Sequence, residues 1–248
     1  MNILALIPAR MGSSRFPGKP MAPILGKPMI GHVWERVAAS PVVSLVAVAT
    51  CDEVIADYIR SIGGVAVMTS DRHERASDRC AEALLTLERE RGVRFDLVVM
   101  VQGDEPMLDP EMIAEAVKPL QDDPGVRVSN LLAPIASVEE FEDRNCIKVV
   151  CDLKSNALYF SREPIPTRVR STQIPMGKQV CVIPFRRDFL LEYTQLAPTP
   201  LEIAESVDML RVLEHGLSVR MVPTHHSSQS VDTEDDLRKV ELLMQGPR

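Results

Sequence analysis

The chain has 248 residues, of which 45% are hydrophobic and 25% charged, and a net charge of −7; that is enough apolar material for one large core or for a main domain with a small lobe. The acidity argues against general nucleic-acid binding, which needs spread positive charge, and the longest apolar runs, such as FDLVVMV at 95–101, fall far short of the roughly 20 residues that cross a bilayer. The apolar start MNILALIP follows no basic segment, and the five cysteines, Cys51, Cys80, Cys146, Cys151 and Cys181, are scattered without a C-x-x-C pair, so a cytoplasmic protein with buried, reduced thiols and no membrane contact is expected.

In chain order, ILALIP (3–8), SLVAVAT (44–50), GVAVMT (64–69) and FDLVVMVQ (95–102) read as short buried strands rich in Val, Ile and Leu. Helices are expected between them. Residues 28–39 space Met29, Ile30, Val33 and Val37 for one face; residues 52–62 open with Asp52 as N-cap and align Val54, Ile55, Tyr58, Ile59 and Ile62; residues 77–91 start at Ser77 and align Ala81, Leu84, Leu85 and Glu88. This alternation predicts an α/β fold with a mostly parallel sheet.

The second half is less regular. NCIKVVCD (145–152), NALYFSR (156–162) and GKQVCVIPF (177–185) read as strands, while Pro164, Pro166 and Pro175 break the segment between them into loop. A helix near 200–215, a strand LSVRMVP (217–223) and an amphipathic helix capped by Thr233 close the chain. No repeat or Gly/Ser linker separates the halves. One domain over 1–248 is expected, with a nucleotide-binding core over about 1–130 and 215–248 and a smaller lobe over about 131–214.

The stretch PARMGSSRFPGK (8–19) leaves the first strand, a place where backbone N–H groups in such sheets converge on anions. It is not a P-loop: five residues separate Gly12 from Gly18 where that motif has four, and Pro20 follows Lys19 where a hydroxyl must reach the metal. The G-x-G-x-x-G pattern fails too. What remains is a loop offering Arg10, Arg15 and Lys19 as positive charges, with Gly12 permitting close backbone approach, which suits a triphosphate. The plainer alternative is a basic surface turn.

A second constellation is VMVQGDEPMLDPEMI (99–113), in which a buried strand ends at Gln102, Gly103 and Asp104. A carboxylate at the carboxyl end of a central strand is placed to hold a hard cation, and magnesium commonly takes one or two protein carboxylates with phosphate oxygens. Asp232, after a strand-like segment and before the last helix, is the candidate partner; a turn or capping role is the alternative for it. His225 and His226 lack i,i+4 ligand spacing and read as exposed loop, and Trp34 reads as core. The acidic run 234–236 reads as a helix N-terminus using its dipole.

Taken together, IPARMGSSRFPGKPMAPILGKPMIGHVWERV (7–37), VQGDEPMLDPEMI (101–113), IKVVCD with ALYFSR (147–162), TPLEIAESVDMLRVLEHG (199–216) and VDTEDDL (231–237) resemble the CMP-Kdo synthetases, the 3-deoxy-manno-octulosonate cytidylyltransferases. The resemblance runs in order from residue 3 to about 243. It implies a Rossmann-like nucleotidyltransferase core with a second lobe that binds a sugar acid and forms a homodimer contact. It also implies CTP and Mg2+ as substrate and cofactor, transfer of CMP to the anomeric hydroxyl of a small 2-keto sugar acid with release of pyrophosphate, and a place in lipopolysaccharide biosynthesis. By position it implies that Arg10, Ser13, Ser14, Arg15 and Lys19 bind the triphosphate, that Gln102 lies by the cytidine, that Asp104 and Asp232 coordinate magnesium, and that Arg162 faces the sugar carboxylate.

The chain also departs from the family pattern. The cytidine turn, H-x-S-G-T-E/D-R in the family, is here His73 to Arg79 with Arg75 and Ala76 replacing Ser and Gly, while Ser77 and Arg79 are kept. On the acceptor side, Gln179 stands where a sugar-binding His is expected, and Val207, Asp208, Met209, Leu210 and Arg211 stand for LEQLR. Losing a sugar contact costs about 1–3 kcal/mol when its partner stays buried and unpaired, so these departures point to an acid other than Kdo, with Arg162, Arg168 or Arg170 meeting its anionic group. A nucleotide-binding protein without turnover is the competing class.

Overall fold

Continuous apolar stretches can only be satisfied where both faces of a strand are covered. In the computed structural model, which describes residues 1–12, 16–170, 177–226 and 228–246, the chain runs through β1 (Ile3–Ala9), the short pair β2 (Pro23–Ile24) and β3 (Lys27–Pro28), α1 (Met29–Ala38), β4 (Leu45–Thr50), α2 (Glu53–Ser61), β5 (Val65–Met68), α3 (Ala76–Arg91), β6 (Leu97–Val101) and α4 (Pro110–Asp122). It continues with β7 (Ser129–Pro134), α5 (Val138–Glu142), β8 (Lys148–Cys151), β9 (Ala157–Ser161), β10 (Gly177–Val180), β11 (Val182–Arg186), α6 (Arg187–Tyr193), α7 (Pro200–Glu205), α8 (Met209–Glu214), β12 (Arg220–Pro223) and α9 (Glu234–Gln245). Two compact units result, Met1–Ala114 with Ser227–Arg248, and Glu115–His226.

In the first unit β6, β1, β4 and β5 lie side by side in that order and run parallel. Every residue of β1 and β6 is buried. The chain steps outward from β1 to β4 to β5 and then returns to the other side of β1 as β6, and such a reversal opens a crevice at the carboxyl ends of the strands on either side of it. The segments after β1 and β6 therefore meet there. Gly103 suits the close approach: a Cβ on it would stand 3.1 Å from the Pro8 carbonyl, tighter than an ordinary van der Waals contact.

The helices bury the stripe expected of α1, with Met29, Ile30, Val33 and Val37 all inside. The other two expectations need correction. Val54 in α2 and Leu85 in α3 are exposed, because a helix lying on one sheet buries a single stripe and both residues fall at its edge. Helix α3 starts at Ala76, leaving Ser77 buried in its first turn, and Asp52 stands at the N-cap of α2 without bonding its N–H groups. Trp34, expected in the core, is only half-buried, although it packs closely on Gly64, where a Cβ would lie 2.9 Å from its ring. Helix α9 is capped as expected, with Thr233 and Asp236 bonding each other's main-chain N–H groups. Its Val240 joins Ile24, Met29 and Val231 in one apolar cluster.

In the second unit the strands lie in the order β12, β7, β10, β8, β9, parallel between β12 and β7 and antiparallel elsewhere. This unit starts earlier and ends later than the lobe expected over about 131–214, the later end following from the pairing of β12 with β7. The single strand expected at 177–185 is two, β10 and β11. The single helix near 200–215 is also two, α7 and α8, interrupted at Ser206, whose φ of 51° ends α7 in the left-handed region. All five cysteines are free, but only Cys80 is fully buried. Among the described residues no helix is long and apolar enough to cross a membrane.

Candidate active site

The first unit gathers side chains from four separate segments at the carboxyl ends of its strands. Lys19 lies in a 3-10 turn, Lys19–Met21, that follows Gly18, whose φ of 73° suits glycine. Its Nζ donates to Asp104 Oδ2 at 2.6 Å, to the Val231 carbonyl at 2.9 Å and to Asp232 Oδ1 at 3.3 Å. The three side chains are only 13%, 23% and 19% exposed for Lys19, Asp104 and Asp232. Burial opposes the charge on Lys19, but the charges and hydrogen bonds of Asp104 and then Asp232 outweigh it and hold the ammonium above its ordinary pKa.

Main-chain bonding brings the two acidic segments together. The Val231 N–H donates to the Asp104 carbonyl at 2.9 Å, and the Ser228 hydroxyl donates to the buried Glu105 carboxylate. The capping box of α9 follows at once and sets where Asp232 leaves the loop. Two carboxylates and a carbonyl thus point at one positive atom. Hard oxygen donors in that number fit a divalent cation of the magnesium class.

Beside this cluster, Arg10, His73, Arg75, Ala76, Arg79 and Gln102 line one pocket. Arg79 is 3% exposed; it donates to Thr69 Oγ1 at 2.6 Å and to the His73 carbonyl at 3.4 Å, which fixes the turn leading into α3. Glu82 holds the same turn from below, accepting from the Ser70 N–H at 2.9 Å and pairing with His73. Burial raises the Glu82 pKa, yet the Ser70 N–H and His73 together bring it below the ordinary glutamate value. Among the described residues the Gln102 amide and the Arg10 guanidinium have no protein partner, so both keep their hydrogen-bonding capacity for a ligand.

Of the other expected residues, Ser13, Ser14 and Arg15 lie outside the described residues. Ser77 is fully buried and its hydroxyl has no partner among the described residues. Around Gly12 a Cβ would meet no atom of the described residues beyond its chain neighbours, so neither their packing nor the backbone angle demands glycine there. His225 is exposed, while His226 Nε2 lies 3.6 Å from Glu115. Two contributors lie outside the expected site residues. Val231 acts through its carbonyl, which any residue would supply, and Asp52, expected as a cap, instead accepts from the Met11 N–H at 2.8 Å and holds the start of the loop.

In the second unit, Arg162 follows β9. Its Nε donates to the Glu205 carbonyl at 2.6 Å, Nη1 to the Arg144 carbonyl at 3.0 Å and Nη2 to the Ser206 carbonyl at 3.4 Å. The Glu205 carboxylate accepts in return from the Arg162 N–H, Ser161 and Tyr159. Gln179 donates to buried Asn130 at 2.5 Å. Asp208 is the N-cap of α8, its carbonyl accepting from Tyr193 at 3.0 Å, and Met209 is fully buried.

A family model described as cytidylyltransferase matches residues 4–227. The 3-deoxy-manno-octulosonate cytidylyltransferase of Geobacter sulfurreducens is 45% identical, over 97% of this chain and 98% of that protein. The protein of the same name from Syntrophus aciditrophicus is 44% identical over 99% and 98%. Among solved structures, that of a CMP:2-keto-3-deoxy-manno-octonic acid synthetase complexed with CTP is 37% identical, with a TM-score of 0.90 over 99% of both chains. At 13% identity and a TM-score of 0.64, 4-diphosphocytidyl-2C-methyl-D-erythritol synthase from Anaerococcus prevotii shares the fold over 98% of this chain and 96% of its own.

Proposed function

The chain belongs to the cytidylyltransferase family, among its 3-deoxy-manno-octulosonate cytidylyltransferases, and from that premise we propose how its own residues carry the reaction. The enzyme is a nucleotidyltransferase that moves CMP from CTP to 3-deoxy-manno-octulosonate and releases pyrophosphate. Full-length relatives named for this acceptor weigh against the different acid suggested by Gln179 and Met209, and against a protein without turnover. The observation that carries the assignment of roles is the meeting of Asp104 and Asp232 on one cation beside the pocket.

Asp104 and Asp232 are the residues that would hold Mg2+. When bound, the ion supplies positive charge that offsets the negative charge developing on the transferred phosphate. Arg10, without a protein partner among the described residues, takes phosphate oxygens together with Lys19 and the loop residues Ser13, Ser14 and Arg15, and the positive charges among them favour departure of pyrophosphate. Gln102 offers the base both a donor and an acceptor, while Ser77 and Arg79 shape the turn beside it. The chemistry is positioning and charge stabilisation, without an enzyme nucleophile.

The second unit takes the sugar acid and the homodimer contact. Arg162 spends three of its N–H groups on carbonyls, and since a guanidinium carries five, one remains on each terminal nitrogen to meet a carboxylate. Gln179 and Asp208 supply polar contacts, and Met209 backs them from the core.

The test is Mg2+-dependent pyrophosphate release from CTP and Kdo. Wild-type protein is expected to turn over, and Asp104→Asn or Asp232→Asn to lose about a hundredfold or more in kcat. No release with Kdo, alongside release with another sugar acid, would reject the acceptor; near-normal rates in both variants would reject the roles.

A further inference from the structure

Lys19 is occupied in a way that its role toward phosphate does not explain. Its three acceptors, at 2.6, 2.9 and 3.3 Å, use all three protons of an ammonium. Held there, Lys19 has none left for a phosphate oxygen. The two carboxylates it bridges are the ones that would hold a divalent cation, at about 2.1 Å for magnesium. An ammonium and a divalent cation on the same two carboxylates would be close neighbours of like sign in a cluster 13–23% exposed, where water screens little.

We propose that Lys19 and a divalent cation exchange on Asp104 and Asp232: the ammonium keeps the two carboxylates together, and the arriving cation releases it toward the triphosphate. The proposal rests on Asp104 and Asp232 being the metal-holding pair. The main chain around Lys19 is fixed, with Gly18 N–H on the Met11 carbonyl at 3.0 Å, Met21 N–H on the Gly18 carbonyl at 2.9 Å and Ala22 N–H on the Lys19 carbonyl at 3.1 Å. Exchange therefore needs only the flexible four-carbon stem to rotate. Metal and triphosphate binding become coupled through one side chain, because the ion that takes the carboxylates frees the charge that meets the phosphates.

The proposal makes a prediction of sign. A lysine serving the triphosphate alone would leave metal affinity without nucleotide unchanged when removed. An exchanging lysine competes with the metal. Lys19→Met is therefore expected to bind Mn2+ about tenfold tighter than wild type in the absence of CTP, read by calorimetry or by the spin signal of free Mn2+. It should also melt at lower temperature without divalent cation and recover when Mn2+ is added. Equal or weaker Mn2+ binding by the variant overturns the exchange.

Should the variant not fold, wild-type protein decides the question by reductive methylation of Lys19, followed by mass spectrometry with and without Mg2+ and no nucleotide. Severalfold faster labelling with Mg2+ supports exchange, and an unchanged or slower rate overturns it. Turnover of CTP and Kdo by wild-type protein is a separate readout. Its absence alongside tightened Mn2+ binding would reject the proposed function and leave the exchange standing; turnover without tightening would do the reverse.

Discussion

Glu82 illustrates how a residue away from the pocket wall sets what the wall can do. Its carboxylate accepts from the Ser70 N–H and pairs with His73, so it fixes the turn on which Arg75, Ala76 and Arg79 stand. Its folded pKa lies below the ordinary value of 4.5. A depressed carboxylate means that the unfolded chain binds more protons between the two values, so stability rises with pH there. Its contribution is full above about pH 4.5 and is lost as pH falls through the folded value. Glu82→Gln is expected to lower the melting temperature at pH 7 and to raise the KM for CTP, with the difference in melting temperature shrinking as the pH is taken below 4.5. A difference constant with pH would assign the effect to packing. Asp104 and Gln102 were legible from the sequence because an acid and an amide after a buried run are conspicuous; Val231 was not, because a carbonyl has no side-chain signature.

Among elements, the strands at the centre of the parallel sheet were the most legible, since burial on both faces leaves an unbroken apolar run. Breaks were the least legible. Nothing in 199–216 resembles a helix terminator at Ser206, because the left-handed turn there uses serine where glycine is usual, and the Glu205 carboxylate and carbonyl, bonded to Ser161 and Arg162, anchor the residue just before it. The start of α9 was legible from Thr233 alone. That cap directly follows Asp232, and the Asp232 N–H also bonds Asp236, at 3.2 Å. Thr233→Ala is expected to cost about 1 kcal/mol in urea unfolding and to raise the divalent cation concentration needed for half-maximal turnover. Unchanged metal demand would mean that the loop places Asp232 without help from the helix.

At the scale of the whole molecule, a site assembled from separate segments should stabilise the fold when filled. At a CTP concentration of about a hundred times Kd, linkage adds about 2.7 kcal/mol, and at roughly 2–4 °C per kcal/mol for a chain of this size the melting temperature should rise by ~5–10 °C. A scan with Mg2+ and CTP measures it, and no shift would deny nucleotide binding. The sequence by itself determined the fold class, the family, the ends of the central strands and the identity of the charged candidates, because periodicity and local motifs are written along the chain. Only the tertiary structure decided what those charges do to one another. Lys19 lies 85 residues from Asp104 and 213 from Asp232, and pairing over such separations is set by strand order and helix packing, which no local pattern records. The loop that sequence reads as a holder of phosphate has its lysine bonded to two carboxylates, and that competition between anions exists only in three dimensions.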